Sequence, residues 1–321
     1  MCLNRRQVLV GSAAALALAG SAVPASAVPA SAVPASAVPA FAEGRSGVRL
    51  RWLGVAGWEL TFAGRRVVVD PYLTRLPVFD QEGKFIEDYP LRVRTDLVDR
   101  HLAEKPELVL VTHGHYDHML EAPYLVQKHG SRVIGTETHR NLLLAQGVPA
   151  GNVTLASGGE HLDFHGFTVQ AFRSLHSVFK DYGTFAPGTL TGVPPRPETI
   201  SDLVEGGTLA YLVDVGGFSV LFLSGAANFV EREVAGLRPD VLVLAMSGHA
   251  NVFDYTARVL RATRPRVVVP SHHDDMVTQL DDPALPPRGN PGAAAELAET
   301  AKRIGLATRV LDPEVLRWYE F

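Results

Sequence analysis

The stretch Glu107-Leu-Val-Leu-Val-Thr112-His113-Gly-His115-Tyr-Asp117-His118 limits what this chain can fold into more than any other. Leu108 to Val111 is a short apolar run rich in β-branched residues, the pattern of a buried strand. Directly behind it, three histidines and an aspartate fall within six residues. Imidazole and carboxylate are the ligand types that a zinc-like ion takes. His113, His115, Asp117 and His118 can therefore supply one ion or two neighbouring ions from a loop at a strand end. Gly114, between the first two histidines, predicts a tight, irregular turn. A polar loop that merely happens to be histidine-rich is a poor account, because the chain has only 12 histidines among 321 residues.

The amino terminus has a different character. Arg5 and Arg6 precede an apolar run, Val8 to Ala19, and small residues follow. This is the layout of a secretory signal, and the paired arginines point to the twin-arginine route. The apolar run is short for a transmembrane helix, so no stable membrane anchor is expected in the mature form. Four copies of Ser-Ala-Val-Pro-Ala then span residues 21–40. A proline every five residues forbids a continuous helix and favours extended chain. Residues 1–42 are thus expected to be a leader and spacer, and residues 43–321 the folded domain of an exported protein.

Composition narrows the function classes. About 280 residues after the leader fit one large domain. Losing Arg5 and Arg6 with the leader takes the formal charge from −4 to −6, which argues against a nucleic-acid partner. The single cysteine, Cys2, lies in the leader. The mature chain can form no intramolecular disulfide and has no thiolate for catalysis or metal binding. A small-molecule substrate is the expected partner.

Beyond the leader, strands repeatedly end at polar clusters. Strands are predicted near 48–53, 59–62 and 66–69, and the last runs into Asp70-Pro71. An aspartate there is either a turn-former or a site residue. Residues 74–95 and 177–206 lack a clear period and read as insertions over the surface, of the kind that often covers sites. Helices are predicted over 95–105, 122–129, 138–146, 231–237, 255–263 and 293–304. Strands fall near 132–134, 153–155, 160–164, 167–173, 209–215, 218–223, 241–245, 266–269 and 308–311. His176 follows the strand ending at Arg173, and His272 and His273 follow the one ending at Val269. Chemistry on loops at strand ends is how α/β enzymes build a site.

The order of these motifs resembles the metallo-β-lactamase superfamily over roughly residues 48–312. The resemblance implies an α/β fold, a four-layer αββα sandwich with a metal site at one edge between its sheets. It also implies that His113, His115 and His176 hold a first metal, and that Asp117, His118 and His272 hold a second. Asp70 matches an acidic position close to the site. Trp52-Leu-Gly54, Gly57-Trp58 and Val69-Asp70-Pro71 look most like the branch that includes the ascorbate-phosphate lactonases and the phospholipase D acting on N-acyl-ethanolamine lipids. One position departs. Where the family has a Gly-Asp whose aspartate bridges two metals, this chain has Gly225-Ala226. Asn228, two residues on, offers only a weak amide-oxygen ligand.

The expectation is a metal-dependent hydrolase with one tightly bound zinc-like ion, the second site being weakened by Ala226 and other divalent metals remaining open. The ion lowers the pKa of a bound water and makes hydroxide available near neutral pH. Asp117 would orient that water or accept its proton, and Asp70 would orient the ligands from behind. An ester, lactone or related carbonyl substrate is expected. Two rivals remain: phosphodiester cleavage at the same site, and a degenerate member that binds metal without turnover.

Overall fold

A computed structural model describes residues 46–282 and 290–321. The expected signal and repeat spacer lie outside the described residues. The first sheet is built from β1 (Arg49–Gly54), β2 (Gly57–Phe62), β3 (Arg65–Val69), β4 (Leu108–Leu110), β5 (Arg132–Gly135) and β6 (Val153–Leu155). The second is built from β7 (His161–Asp163), β8 (Thr168–Arg173), β9 (Leu209–Val215), β10 (Phe218–Leu223), β11 (Val241–Ala245), β12 (Val267–Ser271) and β13 (Arg309–Val310). β14 (Trp318–Glu320) returns to the edge of the first sheet, beside β1. The strand orders are β14-β1-β2-β3-β4-β5-β6 and β13-β12-β11-β10-β9-β8-β7.

Helices cover the outer faces: α1 (Thr95–His101), α2 (Tyr116–Met119), α3 (Ala122–His129) and α4 (Glu137–Ala145), then α5 (Glu231–Val234), α6 (Tyr255–Thr263) and α7 (Ala293–Arg303). Three apolar clusters make the layers. One lies between the sheets and joins Trp58, Leu60, Val67, Val69 and Leu110 to Tyr211, Val213, Phe222, Val243 and Val269. The second packs Val68, Val109 and Val133 against Leu97, Leu125 and Leu142 of the helices. The third packs Leu221, Leu242 and Val268 against Tyr255, Leu260 and Leu297. This is the four-layer αββα sandwich. The inner strands are parallel and covered on both faces, which is why Leu108–Leu110 and Val241–Ala245 read as unbroken apolar runs.

Several expectations shift. β12 runs on to Ser271, through Pro270. β13 pairs only with Val267 and Val268, so the missing proline N–H breaks no ladder bond to β13. The helix expected over 231–237 stops at Val234, and Gly236 turns away with φ +82°. α2 and β14 had no sequence counterpart. The insertion that starts at residue 74 is not wholly superficial: Arg75, Leu76 and Val78 are buried beneath it.

Candidate metal centre

The site forms where the loops after β3, β4, β8 and β12 meet. β4 ends at Leu110, and the chain then runs through Thr112, His113, Gly114 and His115 into the single turn of α2, which carries Asp117 and His118. Gly114 is needed for space rather than for a left-handed backbone. A Cβ there would stand 2.2 Å from the Val204 carbonyl oxygen, while its own N–H donates to the Glu205 carbonyl at 2.8 Å. Gly225 serves the same end at the exit of β10, because a Cβ would meet the Thr112 hydroxyl at 2.0 Å.

Two trios of possible ligands result: His113 with His115 and His176, and Asp117 with His118 and His272, the ligand atoms of each lying within 4.8 Å of one another. The six residues expected from the sequence to hold metal are thus brought together. His273, the alternative to His272, turns away and stacks on Trp52, with ring centroids 4.5 Å apart.

The outer ring nitrogens show how the imidazoles are aimed. His118 Nδ1 donates to Asp70 Oδ2 at 2.9 Å. The Thr112 hydroxyl donates to the same oxygen at 2.5 Å and the Thr112 N–H to Oδ1 at 2.7 Å. With its proton committed to Asp70, that hydroxyl accepts from His113 Nδ1 at 3.3 Å. His176 Nδ1 donates to the Ser177 carbonyl at 2.7 Å, and His115 Nε2 to that of Ala186 at 3.4 Å. His113, His115 and His176 are each left with one nitrogen to face the cluster, while His118 Nε2 lies 3.2 Å from Asp117 Oδ2. His113 Nε2 is buried there with no hydrogen-bond partner. Asp70 is fully buried and reaches the cluster only through His118 and Thr112.

The electrostatics match a site short of positive charge. Burial, then the neighbouring imidazoles His118 and His176, hold the His113 ring well below its ordinary pKa. Burial, with His176, takes His115 down to about 3. Burial pushes the Asp117 carboxyl up, but His118 and His272 more than offset it, and it stays well below the usual carboxylate range. Burial lowers His118, but Asp117 and Asp70 raise it to about 10. The neutral imidazoles of His113, His115 and His176, the ionised Asp117 carboxylate and the unpartnered buried His113 Nε2 fit a zinc-like ion, which would have to displace the proton that His118 shares with its carboxylates.

The surroundings hold residues that sequence reasoning missed. Thr136 caps α4 together with His139, whose Nδ1 accepts from the Thr136 N–H at 3.0 Å. His139 Nε2 then donates to the Glu205 carbonyl at 3.3 Å, and Thr136 Oγ1 to that of Gly206 at 2.8 Å. The end of the second insertion is thereby fixed against the histidine loop. The signal for the cap was Thr136 three residues before His139. Asn228 is not turned to the ligands: its Oδ1 accepts from Phe229 N–H at 3.0 Å and its Nδ2 donates to the His176 carbonyl at 3.2 Å. It braces the His176 loop.

Backbone strain gathers here too. Val55, Asp70, Arg75 and His272 have φ of 49°, 42°, 50° and 49°. Each such non-glycine residue costs about 1–3 kcal/mol and persists only where its surroundings hold it.

Comparison with known proteins agrees with this geometry. A metal-dependent hydrolase of Thermoplasma volcanium is 22% identical over 239 residues, 74% of this chain and 88% of that protein. The fold is shared with a metallo hydrolase from the hyperthermophilic archaeon Ignicoccus hospitalis, at TM-score 0.55 and 20% identity over 85% of this chain and 99% of that one. It is shared also with an isothiocyanate hydrolase from Delia radicum gut bacteria, at TM-score 0.53 and 19% identity over 85% and 99% of the two chains. A family model described as the β-lactamase superfamily domain matches residues 49–272, and the chain belongs to that family as a metal-dependent hydrolase of the metallo-β-lactamase fold.

Proposed function

We propose that the protein is an exported zinc hydrolase that opens an ester, lactone or related carbonyl substrate of small size. The observation that carries this reading is the pair of ligand trios, with His113 Nε2 buried and unpartnered among them. His113, His115 and His176 hold one ion, and Asp117, His118 and His272 a second, weaker one. When bound, such an ion lowers the pKa of water and polarises a carbonyl or phosphoryl oxygen.

The chain supplies the rest. Thr112, Ser177 and Ala186 set the tautomers of His113, His176 and His115, so that each presents a lone pair inward, and Asp70 holds His118 Nδ1–H so that Nε2 would be the nitrogen to give up its proton to a metal. Asp117 Oδ2 lies 3.2 Å from His118 Nε2 and 3.3 Å from His272 Nε2. From there its carboxylate accepts a hydrogen bond from attacking water or takes its proton. Loops at the strand ends place these groups on a rigid scaffold.

The experiment is a hydrolysis screen of purified, metal-loaded protein over model esters, lactones, phosphodiesters and an isothiocyanate, beside His113→Ala and His176→Ala. Metal-dependent turnover of esters or lactones, lost in both variants, supports the reading. Turnover of phosphodiesters or the isothiocyanate alone reassigns the substrate. Metal retention without turnover of any of them marks a binding protein.

A further inference from the structure

The outer ring nitrogens of four site histidines are held, by Thr112, Ala186, Asp70 and Ser177. His272 differs. Its Nε2 faces Asp117, and its Nδ1 is buried without a hydrogen-bond partner. Among the described residues no hydrogen bond fixes this ring from behind, so its aim depends on its backbone, which is held at φ +49°.

That backbone is tied to Val55. The His272 N–H donates to the Val55 carbonyl at 2.8 Å, and Trp52 Nε1 and Ser271 Oγ donate to the same oxygen at 2.9 and 3.2 Å. Val55 is itself a β-branched residue in the left-handed region, where only its surroundings can keep it. On its other side the Val55 N–H donates to Asp274 Oδ2 at 3.0 Å, and Arg75 Nη1 donates to that oxygen at 2.8 Å. Arg75 is wholly buried, and its Nη2 reaches Asp275 Oδ1 at 3.3 Å. Gly54 leaves room for the guanidinium, since a Cβ there would lie 2.4 Å from Nη1. A buried arginine of this kind is poor evidence for stability as such, because desolvation cancels most of its attraction. The pair does, however, lock the peptide from which His272 hangs.

We propose that Arg75 and Asp274 are positioning residues for the second metal site, acting on His272 through the Val55 peptide. The proposal rests on the metal reading above and adds two residues that lie outside both ligand trios. Groups that orient a metal ligand from behind change metal affinity by tenfold to a hundredfold when removed, on the order seen for such partners generally.

The test is a Zn²⁺ titration of chelator-stripped, full-length protein against a chromogenic competitor, which yields a tight and a loose binding constant. Wild type is compared with Asp274→Asn, Arg75→Lys and His272→Ala, each checked for folding by circular dichroism. Both network variants are expected to weaken the loose constant by tenfold or more, to leave the tight one unchanged, and to add nothing in combination with His272→Ala. Arg75→Lys carries the test if Asp274→Asn does not fold. Equal weakening of both constants would mark the pair as merely structural and overturn the proposal. So would loose binding that weakens in His272→Ala but not in the network variants, and in that case the metal reading survives. Unchanged binding in His272→Ala overturns the metal reading itself and the proposal with it.

Discussion

The Asp70 carboxylate accepts from His118 Nδ1 at 2.9 Å, and through the Thr112 hydroxyl it governs His113 as well. One buried carboxylate therefore sets a ligand of each trio. Asp70→Asn keeps the shape, but its NH₂ meets donors where an acceptor is required. Metal affinity should fall by about tenfold to a hundredfold at both sites. Chelator competition on folded variant and wild type measures it, and unchanged affinity at the His113 trio would refute the relay through Thr112.

Ala226 is buried next to Gly225, the residue pressed against Thr112. A methyl group cannot bind a cation, so the wild type should hold one zinc tightly and a second only at high metal concentration. Ala226→Asp should raise metal per chain toward two after dialysis, as read by elemental analysis. Two ions held tightly by the wild type would show that another residue replaces the missing carboxylate.

His139 predicts a pH dependence of stability in metal-free protein. Burial takes its pKa from 6.5 to about 4. Between those values the unfolded chain binds the proton and the folded chain does not. The contribution is therefore fully present above pH 6.5 and is lost as the pH falls towards 4, by up to about 3 kcal/mol. Protonated Nδ1 can no longer accept from Thr136, which gives the loss its structural form. His139→Gln retains a capping-box acceptor and removes the titration. Denaturant melts from pH 4 to 7 should show a flatter profile for the variant; parallel profiles would refute the assignment.

Export is tested at the leader. If Arg5 and Arg6 direct the twin-arginine route, changing both to lysine should leave precursor in the cytoplasm, as read by fractionation and immunoblot. Undiminished export of that variant would exclude the route.

The candidate ligands were legible because their signal is local. A strand followed by His-Gly-His-Tyr-Asp-His needs no knowledge of distant chain, and His176 and His272 each follow a strand of their own. What holds them was not legible. Ser177, Ala186 and Val55 act through backbone carbonyls, which every residue has, so side-chain type carries no trace of the role. Arg75 was hidden for the opposite reason: an arginine in an aperiodic segment reads as solvated, and only the carboxylates some two hundred residues along make its burial tolerable. β14 escaped notice because a three-residue strand is defined by its partner, β1, which is adjacent in space but about 270 residues away in the sequence. Gly114 and Gly225 were readable as glycines but not as close approaches, since the atoms that exclude a Cβ come from elsewhere in the chain.

Each ligand trio draws two members from the loop that leaves β4 and one from a loop of the opposite sheet, His176 after β8 or His272 after β12. Any ion held there is a clasp across the sandwich, added to the apolar core and to the few hydrogen bonds, such as Trp58 Nε1 to Ser271 Oγ and His272 N–H to the Val55 carbonyl, that already join the two sheets. By mass action, an ion at a hundred times its dissociation constant adds about 2.7 kcal/mol to the folded state. That gain would be concentrated at one rim of the molecule. Stripping the metal should therefore open the β4 and β12 ends to hydrogen exchange first, while the far edges, β6–β7 and β13–β14, keep their protection.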